Sequence, residues 1–225
     1  MPVTEYLIRN AELYPDEVAL VELNPDEKDT RRTTWKEFDL IQPSANMPYR
    51  REITWSVFNE KANRFANMLI SRGVKKGDKV AILMYNCLEW LPIYFGVLKT
   101  GAIAVPFNFR YDSDEIYYCA ELAQVDVIVF GFAFIGRIEV NAERLLRGRL
   151  LIYVGDNCPS FAESYHELVA DCSSKEPDVK ITEDDYGAIY FSSGTTGFPK
   201  AILHKHQSLT QAAVMEQKHH STGRD

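Results

Sequence analysis

The sequence predicts an α/β protein with a doubly wound, largely parallel sheet that has helices on both faces. Two observations carry this prediction. Short and almost continuously apolar segments recur along the chain, namely VAILM (80–84), DVIVF (126–130, in which only Asp126 is charged) and LLIYV (150–154). Such runs are typical of strands that are buried on both faces. Amphipathic segments and turn residues separate them, which is the alternation expected of parallel strands joined by crossover helices.

Each further element follows from its local pattern. Residues 4–14 have helical spacing and stop at Pro15, and VALVEL (18–23) is predicted to be a strand. The charged, turn-rich residues 24–49 are expected to form a surface excursion from the fold. A strong amphipathic helix is predicted from Trp55 to a stop at Gly73. The chain is then expected to continue as strand 80–84, helix 88–99, strand 102–107, helix 113–123, strand 126–130, a helix before Leu146, strand 150–154, helix 161–169 and a last buried strand, GAIYF (187–191).

The composition narrows the class of protein. Hydrophobic residues make up 46% of the 225 positions, which is enough to bury a sizeable core. The 32 acidic side chains outnumber the 25 basic ones, so the charge has the wrong sign for a nucleic-acid partner. The four cysteines lie far apart, which argues against a zinc site or a disulfide framework and favours reduced thiols in the cytoplasm. The longest apolar run, 127–136, is far shorter than the roughly 20 residues that a membrane span needs.

The stretch IYFSSGTTGFPKAILHKH (189–206) begins where the last predicted strand ends. Backbone N–H groups in a glycine-rich turn can converge on an anion, and Lys200 adds a full positive charge. Gly194 and Gly197 would permit unusual backbone angles and a close approach of the ligand. Hydroxyl groups could donate to phosphate oxygens, and one of them could bind Mg²⁺. These hydroxyls belong to Ser192, Ser193, Thr195 and Thr196. The stretch is therefore predicted to bind phosphate.

The spacing excludes two common nucleotide loops. Gly194, Gly197 and Lys200 lie three residues apart and Ala201 follows the lysine, which does not fit G-x-x-x-x-G-K-[ST]. A kinase or P-loop ATPase is disfavoured for this reason. The dinucleotide pattern G-x-G-x-x-G is also absent from this stretch. An ordinary surface turn is the alternative, since serine and glycine are common in turns.

Residues Phe191 to Lys200 satisfy the pattern [YF]-[ST]-S-G-[ST]-T-G-x-P-K at every position. In this the chain resembles the adenylate-forming (AMP-binding) superfamily, and in particular its acyl-CoA synthetases and aryl-CoA ligases. The segments at 53–84 and 89–118 are similar to early regions of the same family. Ala201 departs from the family, which usually has glycine there. The resemblance implies that the chain is the N-terminal part of the large adenylate-forming domain.

The resemblance also implies a two-step reaction. A carboxylic acid, fatty or aryl, would attack ATP to give an acyl adenylate and pyrophosphate, and coenzyme A would then take the acyl group. Lys200, Thr196 and His206 are the expected catalytic residues, with Thr196 nearest Mg²⁺. Phosphate binding is expected from Ser192, Ser193, Gly194, Thr195, Thr196, Gly197 and Lys200. The alternative for His206 is a capping or surface histidine at the start of a helix. For His204, a structural role is preferred to a functional one.

Later family segments, Y-G-x-T-E and T-G-D among them, do not occur in the 225 residues, and neither does the small C-terminal domain. Two interpretations follow. The chain is the N-terminal portion of an acyl-CoA ligase whose activity belongs to a longer protein or to a complementing second chain. Alternatively, it is a non-catalytic binding module that keeps the phosphate loop. The isolated chain is expected to be inactive, and an uncovered sheet edge would favour association into a homo-oligomer.

Overall fold

A computed structural model describes residues 1–23, 48–192 and 199–220. Within these ranges the helices are α1 (Val3–Leu13), α2 (Trp55–Ser71), α3 (Trp90–Lys99), α4 (Ser113–Leu122), α5 (Ile135–Glu139), α6 (Ala142–Leu145), α7 (Tyr165–Ala170) and α8 (His206–His220), with a 3₁₀ turn at Phe132–Phe134. The strands are β1 (Val18–Leu23), β2 (Arg50–Thr54), β3 (Lys79–Leu83), β4 (Ile103–Pro106), β5 (Val127–Gly131), β6 (Leu150–Val154), β7 (Glu163–Ser164), β8 (Tyr186–Ser192) and β9 (Lys200–Lys205).

Seven strands form one sheet in the order β7-β6-β5-β3-β4-β8-β9. Every neighbouring pair in it is parallel except β8 and β9, which are antiparallel. This arrangement confirms the predicted α/β fold with a largely parallel sheet. Strands β1 and β2 form a separate antiparallel pair. They flank the predicted surface excursion at 24–49, nearly all of which lies outside the described residues.

Side chains of the central strands alternate between two hydrophobic cores, one on each face of the sheet. In β3, Val80 and Ile82 belong to the core that includes α2 and α3, whereas Ala81 and Leu83 belong to the core that includes α4 and α5. The same alternation holds along β4, β5 and β6. Because both faces are apolar, the strand sequences are continuous hydrophobic runs. The prediction of helices on both faces is confirmed.

Two local features explain how helices begin and pack. Helix α4 starts with a capping box, in which Asp112 accepts from the backbone N–H of Glu115 and Glu115 accepts from that of Asp112. Helices α2 and α3 approach closely at Gly96, where a Cβ atom would lie 2.8 Å from the carbonyl oxygen of Ala62. Glycine therefore allows the backbones of these two helices to come into contact.

The structure differs from the sequence-based expectation in three of the predicted elements, and strand β2 was not predicted. The predicted helix at 161–169 begins only at Tyr165, after the short strand β7. The helix predicted before Leu146 is two short helices, α5 and α6. Residues 200–205, expected to be part of a phosphate loop, form strand β9, because their backbone groups pair with β8.

Polar side chains of α2 hold the link from α7 to β8. Residues 171–185, all of them described, contain no helix or strand. Arg64 donates to the carbonyl oxygen of Cys172 at 2.7 Å, and Asn67 donates to those of Ser173 and Lys175. The link is thus fixed by side-chain hydrogen bonds to its backbone, and it delivers β8 to the sheet beside β4.

Candidate phosphate-binding site

Ser192 and Lys200 face each other at the carboxyl edge of the parallel sheet. Strand β8 is parallel to β4 and ends at Ser192, and β9 begins at Lys200, which is the cross-strand partner of Ser192. Opposite residues in an antiparallel pair have Cα atoms about 5 Å apart. The sequence motif therefore leaves and re-enters the sheet at one place, which is the edge where ligands bind in folds of this type.

The side chain of Lys200 is solvent-exposed at this edge. Among the residues that the structure describes, it has no ion-pair partner, whereas Lys205 at the other end of β9 pairs with Asp184 at 3.0 Å. Within the described ranges, the two lysines of β9 therefore differ, since only the ammonium group of Lys205 has a carboxylate partner.

The remaining predicted phosphate-binding residues are Ser193, Gly194, Thr195, Thr196 and Gly197. They lie outside the described ranges, which resume at Pro199. Their predicted roles stay predictions. This includes Thr196 as the residue nearest Mg²⁺.

Aromatic packing fixes the end of β8 just before Ser192. The ring of Phe191 meets those of Phe107 and Tyr111 edge-on, at centroid distances of 5.8 and 6.4 Å. Phe107 and Tyr111 come from the segment that follows β4. The first position of the motif is therefore held by the neighbouring strand's carboxyl-end segment.

The structure does not bring His206 together with Lys200 and Ser192. Strand β9 runs antiparallel to β8 over its six residues and carries the chain to the opposite edge of the sheet. At about 3.3 Å per residue, His206 lies about 20 Å from Lys200. The expectation that both residues flank the phosphates treated residues 200–206 as a loop. Their strand conformation is the physical reason for the separation.

His206 instead occupies a buried place at the start of α8. Its backbone N–H donates to the carbonyl oxygen of Asp185 at 2.9 Å, and its side chain has no exposed surface. Neither ring nitrogen has a hydrogen-bond partner among the described residues. Burial lowers the pKa of His206, and Lys76 lowers it further, while Asp185 opposes both effects. His206 is therefore held as a neutral ring inside the protein.

Asp185 is a residue whose role the sequence did not reveal, because two adjacent acidic residues just before a strand are typical of a solvated turn. Its carboxylate accepts from Lys76 Nζ at 2.7 Å and from the backbone N–H of Thr182 at 2.7 Å. Burial raises the pKa of Asp185, but the hydrogen bonds from Lys76 and Thr182 outweigh it and the pKa is lowered. Asp185 thereby ties the start of β8 to the turn that precedes β3.

Other kinds of site find no support in the described part of the chain. It contains no group of three or more His, Cys, Asp or Glu side chains that could hold a metal ion. None of its helices combines the length and apolarity that a membrane span requires. The four cysteines are all unpaired.

Comparison with known proteins identifies the family. The family described as AMP-binding enzyme matches residues 7–225, which is nearly the whole chain. The chain belongs to the AMP-binding enzyme family. This membership confirms the resemblance found in the motif at 191–200.

Curated relatives of this AMP-binding family member are CoA ligases. It is 32% identical over 174 residues to the long-chain-fatty-acid–CoA ligase FadD13 of Mycobacterium tuberculosis, covering 77% of the chain and 33% of the relative. It is 30% identical over 182 residues to the 3-hydroxybenzoate–CoA/4-hydroxybenzoate–CoA ligase of Thauera aromatica, covering 80% and 35%. The chain spans about a third of the length of these relatives.

Solved structures agree with the fold. The anthranilate CoA ligase AuaEII, crystallised with anthranoyl-AMP, superposes with a TM-score of 0.78 at 24% identity, covering 95% of this chain and 36% of that one. The inhibitor-bound N-terminal domain of FACL13 from Mycobacterium tuberculosis gives 0.68 at 25% identity, covering 93% and 45%. The AMP-binding family member therefore has the fold found in N-terminal domains of CoA ligases.

Proposed function

We propose that this chain is the N-terminal, phosphate-binding part of an ATP-dependent acyl-CoA ligase. The enzyme would join a carboxylic acid to ATP as an acyl adenylate, release pyrophosphate and then form the thioester with coenzyme A. One observation carries the proposal: Ser192 and Lys200 face each other at the carboxyl edge of the sheet, at the two ends of the family's motif. Family membership supports the type of reaction.

A fatty or aryl acid is the proposed substrate class. Relatives named for long-chain fatty acids and for hydroxybenzoates are similar to this chain to nearly the same degree, at 32% and 30% identity. Further relatives are named for crotonobetaine and carnitine, which are also carboxylates. The shared chemistry is a carboxylate joined to coenzyme A, and we extend it to this protein.

The first step brings two anions together, so positive charge and oriented donors must offset their repulsion. In our proposal the Lys200 ammonium group stabilises the charge on the phosphates, and the Ser192 hydroxyl donates to a phosphate oxygen. The segment containing Ser193, Gly194, Thr195 and Gly197 would supply backbone N–H groups and a further two hydroxyls. Thr196 would hold Mg²⁺, which supplies charge neutralisation when bound. His206 is not part of this proposal, because it lies at the opposite edge of the sheet.

The reaction is proposed to take place in the cytoplasm, where thiols stay reduced. All four cysteines are free, and burial raises the pKa of the Cys119 thiol to about 11. Such a thiol remains protonated and unreactive at neutral pH.

The test is ATP–pyrophosphate exchange by the full-length protein that carries this chain, with a panel of fatty and aromatic acids. We expect exchange with at least one class, and a loss of about 100-fold or more in Lys200→Ala, as is typical when a donor to a developing charge is removed. Lys205→Ala is the matched control, because it lies on the same strand but pairs with Asp184. It should stay within about twofold of the wild type.

Absence of exchange with every acid, with Mg²⁺–ATP binding retained, would favour the alternative of a non-catalytic binding module. Equal losses in Lys200→Ala and Lys205→Ala would contradict the assignment of Lys200. The 225-residue chain by itself is expected to give no exchange. Exchange by that chain, abolished by Lys200→Ala, would contradict this last expectation.

A further inference from the structure

The segment that follows β4, residues 107–111, is packed against the start of the proposed phosphate site. Its first and last residues, Phe107 and Tyr111, contribute the two rings that meet Phe191. Phe191 immediately precedes Ser192, so a shift of either ring would move the strand end from which the phosphate segment departs. The position of residues 107–111 therefore bears directly on the geometry of the site.

Arg137 on α5 holds this segment by its backbone. Its Nη1 atom donates to the carbonyl oxygens of Phe109 at 2.6 Å and of Tyr111 at 3.0 Å. The guanidinium also lies 5.5 Å from the centre of the Phe134 ring, which is fully buried. Hydrogen bonds from an ionised donor are roughly twice as strong as those between neutral groups. The middle and the end of the segment are thus fixed to α5.

The two ends of residues 107–111 are fixed independently. The backbone N–H of Phe107 donates to the carbonyl oxygen of Ile82 in β3 at 2.9 Å. At the other end the capping box of α4 begins at Asp112. Between these anchors, the ring of Tyr85 packs on that of Phe109 at a centroid distance of 5.6 Å, and Arg137 donates hydrogen bonds from α5 to the backbone of the segment.

We propose that Arg137 is a positioning residue for the phosphate site. By holding the carbonyl groups of Phe109 and Tyr111, it keeps Phe107 and Tyr111 packed on Phe191 and so fixes the strand end at Ser192. The proposal rests on the proposed function. When a binding-competent arrangement is only partly populated, the apparent affinity falls by the populated fraction, while the bound complex is unchanged. Loss of Arg137 therefore raises the KM for ATP and leaves kcat nearly unaltered.

The experiment compares Arg137→Gln with the wild type in the full-length protein. The KM for ATP should rise about fivefold, with kcat within about twofold. Arg137→Lys, which keeps a cation that can reach the carbonyl oxygens, should restore most of the difference. It also serves as the second variant if Arg137→Gln folds poorly. Arg149→Gln is the matched control, because Arg149 likewise donates to a backbone carbonyl, that of Val125, but before the start of β5. It should leave the KM unchanged.

Amide hydrogen exchange, measured without any ligand, tests the positioning role of Arg137 separately from the proposed ligase function. In Arg137→Gln, amides of residues 107–111 and 186–192 should exchange at least several-fold faster, whether or not the protein turns over ATP. An inactive wild type with this exchange pattern would overturn the ligase proposal and support the positioning role. Unchanged exchange at 186–192, or the same acceleration in Arg149→Gln, would overturn the role of Arg137.

Discussion

The ammonium group of Lys99 lies 2.6 Å from the carboxylate of Glu176, and the two side chains differ greatly in exposure, at 2% and 40%. Lys99 also donates to Asn59 and Asn63, each at 2.7 Å. Burial lowers the pKa of Lys99, although Glu176 acts against this. The pair joins the C-terminal end of α3 to the link that leads to β8. The positive charge of Lys99 is therefore buried, and the carboxylate that neutralises it, that of Glu176, is half-exposed.

Removing the carboxylate of Glu176 should therefore lower the free energy of unfolding more than removing the ammonium group of Lys99. We expect Glu176→Ala to lower the free energy of unfolding by about 2 kcal/mol, because it leaves a buried ammonium group with two amides alone, and partial exposure limits the effect. Lys99→Met fills the same space with an apolar chain and should cost less. Urea unfolding of both variants measures the difference. A larger loss in Lys99→Met would contradict this account.

His206 gives the stability a definite pH dependence. Because its pKa is lowered in the folded protein, the unfolded chain binds the extra proton more readily. The contribution to stability is complete above the unfolded pKa of about 6.5 and is lost as the pH falls from there toward the lower folded pKa.

His206→Phe should remove this part of the pH dependence. The test is the midpoint of unfolding measured from pH 7.5 to 5.5 in the variant and the wild type. His219→Phe, on the same helix but exposed, should keep the wild-type slope. If His206→Phe and the wild type lose stability in parallel, the buried neutral ring is not the cause.

Gly96 should not tolerate a side chain. A Cβ atom there would lie 2.8 Å from the Ala62 carbonyl oxygen and 2.9 Å from Cδ1 of Phe65, so α2 and α3 would have to separate. We expect Gly96→Ala to destabilise by about 1–3 kcal/mol in thermal or urea unfolding. Gly136→Ala in α5 meets nothing within 4 Å and should be neutral or stabilising by up to about 1 kcal/mol. Equal effects at the two positions would count against helix contact as the reason.

Loss of the capping box of α4 should lower the stability of the protein by a smaller amount. Asp112→Ala removes the acceptor for the backbone N–H groups of Asp114 and Glu115, and about 1 kcal/mol of stability should be lost. Asp114→Ala, one residue into the first turn, keeps the cap and should change stability by no more than a few tenths of this value. Chemical denaturation of the two variants provides the comparison.

The central sheet could be predicted because its strands are buried on both faces. Segments such as 80–84 and 150–154 are apolar without interruption. This pattern can be recognised in the sequence without knowing which strands lie next to them in the sheet. Strand β9 could not be predicted in the same way. Its sequence KAILHK has only three apolar residues. It is a strand because it pairs with β8, which precedes the motif's central residues in the chain. The expectation that His206 lies beside Lys200 came from the family resemblance, and the strand conformation of residues 200–205 is what separates the two residues.

The proposed site combines residues that the sequence marks with contacts that it does not mark. Ser192 and Lys200 belong to a contiguous motif, so the sequence alone singled them out. Arg137 acts through Phe109 and Tyr111, which lie 28 and 26 residues away in the chain. Asp185 acts through Lys76, which lies 109 residues away. No periodicity or spacing marks such contacts, because they arise only when the strands are arranged side by side.

The pairing of Ser192 with Lys200 has a consequence for the entropy of binding. The segment between them, residues 193–199, has its two ends fixed side by side by β8 and β9 before any ligand arrives. Bringing the ends of a free segment together has an entropic cost that grows with its length. Folding of the sheet has already met that cost, so the binding of a phosphate group at this edge does not have to meet it again.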